Sequence, residues 1–315
     1  MAVADFNKDT RQDLVVSNNG GGVISVLLGN GNGTFQTPRT LTVPQALSIG
    51  VADFNTDGNA DLVVFNGNLS SVALLRGDGA GNFTAAMQIP SGRLPSAVLT
   101  GDFNHDGKAD YITSNVDANT VSVVLGKGNG TFIDIGPAVP TNGAVSDQII
   151  AADFNNDGIP DLAQVNTGVV GNPGNTISVL LGKQGGGFQA ALKSNVGTQP
   201  SGLAAVDFNH DGRLDLVVSD FGDPINNIAG NVALLLGNGD GIFQAPRQFV
   251  AGPGIPISLA VADFNGDGNP DAVVAQVSTS LRPAAVSLLL GNGRTALDNL
   301  RTLPFFRCRA RRLCK

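Results

Sequence analysis

A nine-residue pattern rich in side-chain oxygens occurs six times along this 315-residue chain. Asp occupies positions 1, 5 and 9 of every copy, Phe occupies position 2 and Asn occupies position 3. Position 6 is Gly in five copies and Thr10 in the first, whereas positions 4 and 7 vary. Ca²⁺ binds six to eight oxygens at about 2.3–2.6 Å, and a tight loop directs alternate residues toward one centre. The pattern therefore predicts a Ca²⁺ site in each copy.

The variable residue at position 7 fits a ligand that is a backbone carbonyl, which any residue supplies. Gly at position 6 fits a sharp turn with positive φ, so we expect the first loop, with Thr10, to be the weakest of up to six sites. The alternative is a set of Asp-rich turns without metal. That alternative predicts exchange of Asp for Asn or Ser, and none occurs at positions 1, 5 and 9. The candidate metal ligands are Asp5, Asn7, Asp9, Arg11, Asp13, Asp53, Asn55, Asp57, Asn59, Asp61, Asp102, Asn104, Asp106, Lys108, Asp110, Asp153, Asn155, Asp157, Ile159, Asp161, Asp207, Asn209, Asp211, Arg213, Asp215, Asp263, Asn265, Asp267, Asn269 and Asp271.

Composition excludes several classes of partner. The chain has 26 Asp and no Glu, and up to residue 293 it carries 12 Lys and Arg against 25 Asp, a net charge of −13. Such a surface repels nucleic acid and anionic membranes. No apolar run reaches the length of about 18 residues that a membrane-spanning helix needs. We therefore expect neither nucleic-acid binding nor membrane insertion.

Little in the sequence indicates catalysis. His105 and His210 both occupy the variable position 4 of the pattern, where a solvated turn residue is expected. Asp220 and Asp223 are a weak candidate for the paired carboxyl groups of a glycoside hydrolase. The Gly-rich turns lack the Lys-Ser/Thr pair of a phosphate-binding loop. We therefore predict that the chain is not an enzyme.

The copies start 48 to 56 residues apart, and a period near 50 indicates stacked supersecondary units. Each unit reads as a short strand, the Asp loop, an apolar strand, a third strand ending in a Gly-rich turn closed by Phe, and a fourth strand. Four strands per unit predict an all-β propeller. The expected blades cover about 1–43, 44–92, 93–141, 142–196, 197–252 and 253–300. The Phe at position 2 is expected to be a core residue beneath each loop.

The Asp-Phe-Asn-x-Asp-Gly-x-x-Asp loop, followed by a Leu-Gly-x-Gly-x-Gly-x-Phe turn, resembles the FG-GAP/VCBS repeat over residues 1 to about 293. That family includes the N-terminal β-propeller of integrin α chains. The resemblance implies Ca²⁺ in the hairpin between the first and second strands of each blade, with a partner on the opposite face. Complete propellers of the family usually have seven blades. Because this chain begins partway through a first strand, we expect six blades here and up to seven in the intact protein.

Three consecutive units carry longer connections between their second and third strands, near Asn166–Asn175, Asp220–Asn231 and Gln276–Ala284. Insertions gathered on one face often mark a binding surface, although drift in tolerant loops gives the same pattern. Asp220, Asp223 and Arg282 are therefore candidate partner-binding residues on the face opposite the Asp loops.

Two classes of binding module fit these features. The first is a monomeric, calcium-stabilised protein-binding, adhesion or scaffold module, outside the cell or on its surface, where weak Ca²⁺ sites are filled. The second is a lectin that binds glycans, which the absence of Trp and the single Tyr disfavour. An accessory propeller of a larger secreted enzyme is a further alternative.

The repeat pattern is expected to end at Gly293. Residues 294–315 hold seven of the 19 Lys and Arg, and both Cys residues, Cys308 and Cys314. This basic tail reads either as an interaction arm or as a frame error, since a neighbouring reading frame restores a turn and strand of the repeat type.

Overall fold

A computed structural model of the chain describes residues 1–18, 21–66, 71–91, 95–116, 118–134, 138–141, 143, 148–169, 172–222, 230–278 and 284–304. Its first three sheets contain β1 (Ala2–Ala4), β2 (Asp13–Asn18), β3 (Val23–Leu27) and β4 (Arg39–Thr42); β5 (Ala46–Ala52), β6 (Asp61–Asn66), β7 (Ser71–Gly77) and β8 (Phe83–Pro90); and β9 (Pro95–Gly101), β10 (Asp110–Asn115), β11 (Thr120–Gly126), β12 (Phe132–Asp134) and β13 (Val139–Pro140).

The other three sheets contain β14 (Ile149–Ala152), β15 (Asp161–Val169), β16 (Asn172–Leu180) and β17 (Leu192–Asn195); β18 (Pro200–Val206), β19 (Asp215–Asp220), β20 (Asn231–Leu235) and β21 (Arg247–Val250); and β22 (Ile255–Ala262), β23 (Asp271–Val277), β24 (Ala285–Gly291) and β25 (Leu297–Pro304). The described part of the chain is thus all-β, as the sequence predicts. It contains no helix long and apolar enough to cross a membrane.

Each sheet is formed by consecutive antiparallel strands, so every blade is local in sequence. The first strand ends where the Asp loop begins, and the second strand starts at position 9 of the loop. Ala52 pairs with Asp61 across the second loop, for example, and Gly101 pairs with Asp110 across the third. The Asp loop is therefore the hairpin between the first two strands, as the family resemblance implies.

The apolar strands are buried on both faces because each inner sheet lies between two others. In β6, Leu62 and Val64 pack toward the first sheet, whereas Val63 and Phe65 pack toward the third. Successive side chains of a strand point to opposite faces, so two buried faces require an unbroken apolar run. Five clusters of buried side chains join neighbouring sheets in this way, from the first sheet to the sixth.

The outer faces of the first and sixth sheets differ from these interfaces. Phe264, at position 2 of the last loop, is 48% exposed, whereas the Phe residues at position 2 of the five earlier loops are at most 2% exposed. On the first sheet, Phe35 closes the Gly-rich turn and is 40% exposed, and Val3 is 52% exposed. Within the described ranges, none of the buried clusters joins the sixth sheet to the first.

Two expectations about the later blades need correction. In the fourth blade, the longer connection near Asn166–Asn175 is mostly not a loop, because β15 and β16 continue as a paired hairpin with a register shift between Asn166 and Gly168. In the sixth, the repeat pattern does not end at Gly293, since β25 pairs with β24 and completes the sheet. Leu297 stands six residues after Gly291, at the place of the turn Phe, and is 4% exposed among the core side chains. An apolar side chain at that position suffices to continue the strand.

Candidate metal-binding loops

Each Asp loop turns through two residues with positive φ. Position 6 has φ of 80° at Gly58 and 69° at Thr10, which confirms the sharp turn predicted there. Position 4 also has positive φ in every copy, for example 59° at His105 and 55° at Thr56, although five of the six residues are not Gly. Side chains with a Cβ reach this region at a cost of roughly 1–2 kcal/mol. The loop therefore needs other interactions to hold it.

The carboxylate at position 1 supplies part of that stabilisation. In the second loop, Asp53 Oδ1 accepts the backbone N–H of Asp57 at 3.2 Å, and Asp53 Oδ2 accepts the N–H of Gly58 at 2.7 Å. The bond from position 6 is present in all six loops. Position 1 therefore closes the turn around its own carboxylate.

Positions 3 and 5 continue the same arrangement. Asn55 Oδ1 accepts the N–H of Asp57 at 3.0 Å, and Asp57 Oδ1 accepts the N–H of Asn59 at 2.7 Å. Asn55 Nδ2 donates to Asp57 Oδ2 at 2.9 Å, and the same bond occurs in the first, fourth, fifth and sixth loops. In the third loop, Lys108 Nζ donates to the corresponding oxygen of Asp106. Positions 1, 3 and 5 thus converge on one side of each loop.

Position 9 has a different surrounding, which sequence reasoning did not identify. All six of these Asp residues are completely buried. Asp161 Oδ2 accepts the N–H of Phe154 at 2.8 Å, and Asp161 Oδ1 accepts the N–H of Gly182 at 2.7 Å. The same two bonds occur in every copy and join the Asp loop to the Gly-rich turn of its own blade. The sequence signal for this contact is that each position 9 Asp is followed, 16, 20, 21 or 22 residues later, by the first Gly of a Gly-rich turn.

The charges of one loop interact. Burial raises the pKa of Asp61, and the carboxylates of Asp57 and Asp53 raise it further, while the N–H groups of Gly77 and Phe54 oppose the shift. The pKa of position 9 is also raised in the third, fourth and fifth loops, with burial again the first cause. At position 5, the backbone N–H of Asn59 lowers the pKa of Asp57. Three carboxylates that repel one another favour a bound cation.

The donor chemistry of each loop fits a hard cation, since positions 1, 3 and 5 offer only carboxylate and amide oxygens on one side of a tight turn. Position 9 is held inward by its two N–H bonds, each oxygen retaining one lone pair. The described residues nevertheless contain no group of three or more His, Cys, Asp or Glu side chains that could hold a metal ion. A calcium site therefore remains a prediction, with positions 1, 3 and 5 as its best-placed ligands.

The first five Asp loops also contact the next blade. Phe6 packs edge-on against Phe83 of the second blade's Gly-rich turn at 5.5 Å between ring centroids, and its carbonyl accepts the N–H of Gly81 at 3.0 Å. Three further loop Phe residues pack against the turn Phe of the following blade. Thr56 Oγ1 donates to the carbonyl of Gly128 in the third blade. The conformation of the loop is thus coupled to the interface between blades.

On the opposite face, the structure describes only one of the three candidate partner-binding residues. Asp220 ends β19 and is 2% exposed, so it is not the surface contact that was expected. The reason is its place in the sheet, where Asn231 and Gly222 cover it through backbone N–H bonds. Asp223 and Arg282 lie outside the described residues, as does the tail from residue 305. His105 and His210 are exposed at position 4, as expected.

Comparison with known families identifies the repeat. An FG-GAP-like repeat matches the chain over residues 5–64, 53–113, 110–163, 169–218 and 225–274. The chain belongs to the FG-GAP-like repeat family. Together these matches cover all six Asp loops. A search of curated proteins finds no significant match.

Solved structures share the fold at low sequence identity. A functionally unknown protein from Desulfotomaculum acetoxidans DSM 771 has a TM-score of 0.61 and 12% identity over 92% of this chain and 85% of its own. BBS1N, solved in complex with ARL6DN, has a TM-score of 0.61 and 11% identity over 96% of this chain and 81% of its own. The dihydro-heme d1 dehydrogenase NirN has a TM-score of 0.59 and 15% identity over 99% of this chain but 57% of its own. These similarities, with the family match, establish an all-β FG-GAP propeller.

Proposed function

We propose that this FG-GAP propeller is a non-catalytic binding module whose Asp loops bind Ca²⁺ and whose partner is a protein. The observation that carries the proposal is the position of the loops. Each directs side-chain oxygens of positions 1, 3 and 5 to one side of a hairpin, and the first five hairpins also contact the following blade. A cation there offsets the repulsion between the carboxylates and stabilises the loop and the blade interface together.

The setting follows from the affinity expected of such sites. Extracellular calcium modules bind with dissociation constants of about 10⁻⁴–10⁻³ M. Loops with exposed ligands and strained backbone, as here, suit that range better than that of cytosolic calcium buffers. We therefore assign the module to the outside of the cell or to its surface.

The choice of a protein partner is supported by BBS1N, a structural neighbour that was solved in complex with ARL6DN. The NirN structure belongs to an enzyme, so the fold by itself does not decide between binding and catalysis. Both His residues of the chain, His105 and His210, lie at the exposed position 4 of Asp loops. Binding on the face opposite the Asp loops therefore remains our preferred assignment.

Calcium binding is tested by native mass spectrometry and thermal unfolding of Asp157→Asn. This change removes one loop charge and keeps an acceptor for the N–H of Ile159, which Asp157 accepts at 2.8 Å. We expect one fewer Ca²⁺ per chain and a smaller rise of the melting temperature when Ca²⁺ is added.

The matched control is Asp240→Asn. Asp240 lies in a Gly-rich turn and accepts the N–H of Ile242 at 2.9 Å, in the same local geometry but outside the Asp loops. Its calcium stoichiometry should equal that of the wild type. A wild-type chain that carries no Ca²⁺ at millimolar concentration, or an equal loss in both variants, contradicts the proposal.

A further inference from the structure

One position in every blade lies five residues after position 9, at the far end of the second strand. In four blades it is an amide whose nitrogen donates to a Ser hydroxyl on the third strand. These pairs are Asn18 with Ser25, Asn115 with Ser122, Asn166 with Ser178 and Gln276 with Ser287, at 2.7–2.9 Å. The position is therefore built for a side chain that donates a hydrogen bond.

The fifth blade departs from this arrangement at both members of the pair. The amide is replaced by Asp220, and the Ser is replaced by Ala233, which pairs with Val218 as Ser25 pairs with Val16. An ionised carboxylate donates nothing, and Ala233 has no hydroxyl to offer it. Protonated Asp220 is uncharged and has nearly the shape of Asn.

The two oxygens of Asp220 have unequal surroundings. Oδ1 accepts the N–H groups of Gly222 and Asn231, both at 3.1 Å, at the start and the end of the connection between β19 and β20. Oδ2 is buried without a hydrogen-bond partner. It packs against Gly197, where any Cβ would collide with it, so the carboxyl is closely enclosed. An unpartnered charged oxygen in such a place is costly.

We propose that the protonation state of Asp220 controls how firmly the backbone N–H groups of Gly222 and Asn231 are held at the end of β19. The protonated carboxyl fits the enclosed position, whereas the ionised carboxyl is stabilised by moving into water, which releases the N–H groups of Gly222 and Asn231.

Charged neighbours do not explain the behaviour of this group. Burial raises the pKa of Asp220 to about 6, opposed only by the N–H groups of Asn231 and Gly222. Strands β18, β20 and β22, which pack against β19, contain no ionisable side chain. The other ionisable residue of β19 is Asp215, at the opposite end of the strand, and it is not among the causes of the shift. The closed position therefore loses stability as pH rises from about 3.9, the pKa of a free carboxyl, to about 6.

Hydrogen exchange followed by mass spectrometry tests the proposal on the full chain, using peptides that contain Gly222 and Asn231. With a pKa of about 6 in the closed form and about 3.9 in the open form, protection corrected for intrinsic exchange should fall about tenfold from pH 5 to pH 7.5. In Asp220→Asn/Ala233→Ser, which restores the pair of the four blades named above, protection should not change over this range. Peptides from the first blade, where Asn18 holds the position, serve as an internal control.

The proposal is overturned if wild-type protection does not vary with pH, or if the double variant shows the same fall as the wild type. Should the double variant fail to fold, Asp220→Asn alone provides the comparison. Neither outcome depends on Ca²⁺ or on a partner, so EDTA is present throughout.

Discussion

Replacing a position 9 Asp separates its role in holding the backbone from any role in binding metal. Asp215 is completely buried, and its carboxylate accepts the N–H of Phe208 at 2.9 Å and that of Gly237 at 2.8 Å. Hydrogen bonds to a charged group contribute about 1.5–3 kcal/mol each. The burial that raises the pKa of Asp215 offsets part of this gain. We expect Asp215→Ala to lower the free energy of unfolding by about 3 kcal/mol.

The assay is thermal and urea unfolding in EDTA, so that bound metal does not contribute. With an unfolding entropy of about 2.1 cal/mol/K per residue, 3 kcal/mol corresponds to roughly 5 °C for a cooperative unit of this length. Asp211→Ala is the matched control, since Asp211 occupies position 5 of the same loop, is exposed and accepts the N–H of Arg213. Its loss in EDTA should stay below about 1 kcal/mol.

Equal losses for Asp215→Ala and Asp211→Ala in EDTA would refute this reasoning, because the buried carboxylate would then have no special structural role. Adding Ca²⁺ gives the complementary comparison. The Asp211 variant should gain less stability from Ca²⁺ than the wild type gains.

Three further predictions concern strain, exposure and pH. Thr10→Gly should stabilise the chain by about 1 kcal/mol, because φ at Thr10 is 69°, a region in which a side chain with a Cβ is strained. Urea unfolding measures this difference, and a loss of stability in the variant would argue against backbone strain at Thr10. Phe208→Ser should lower the free energy of unfolding by about 3–5 kcal/mol and Phe264→Ser by under about 1 kcal/mol, since the two rings are 0% and 48% exposed. Phe264→Ser should also reduce the fluorescence of a bound hydrophobic dye. Similar losses of stability in the two variants would mean that the outer face of the sixth sheet is covered in solution. In the wild type, Asp220 should contribute about 2–3 kcal/mol of stability at pH 4 that is lost as pH rises through about 6, because the folded pKa is raised, and Asp220→Asn should lack this pH dependence. Unfolding at pH 4 and pH 7 measures this difference, and equal pH dependence in both chains would contradict it.

Much of the fold follows from the sequence because its information is local. An apolar run between Asp-rich and Gly-rich turns specifies a strand wherever it occurs, and six repetitions remove the ambiguity of any single copy. The Asp loop is equally local, since positions 1, 3 and 5 bond to backbone groups within five residues. Even so, the end of the sixth blade was placed too early. Leu297 occupies the place of the turn Phe. The sequence pattern was defined by residue type, whereas packing in the core requires only an apolar side chain of suitable size.

The sequence by itself determined the blades, the hairpin position of the Asp loops and the positive φ at position 6. The tertiary structure alone decided which groups meet across 16 to 22 residues or between sheets. Asp161 is held by Gly182, Phe6 meets Phe83, and Phe264 has no such partner ring among the described residues. It also decided that Asp220 is enclosed and not a surface residue. Whether a group is buried or lacks a hydrogen-bond partner depends on how segments distant in the chain pack together. A sequence pattern that spans a few residues cannot predict that packing.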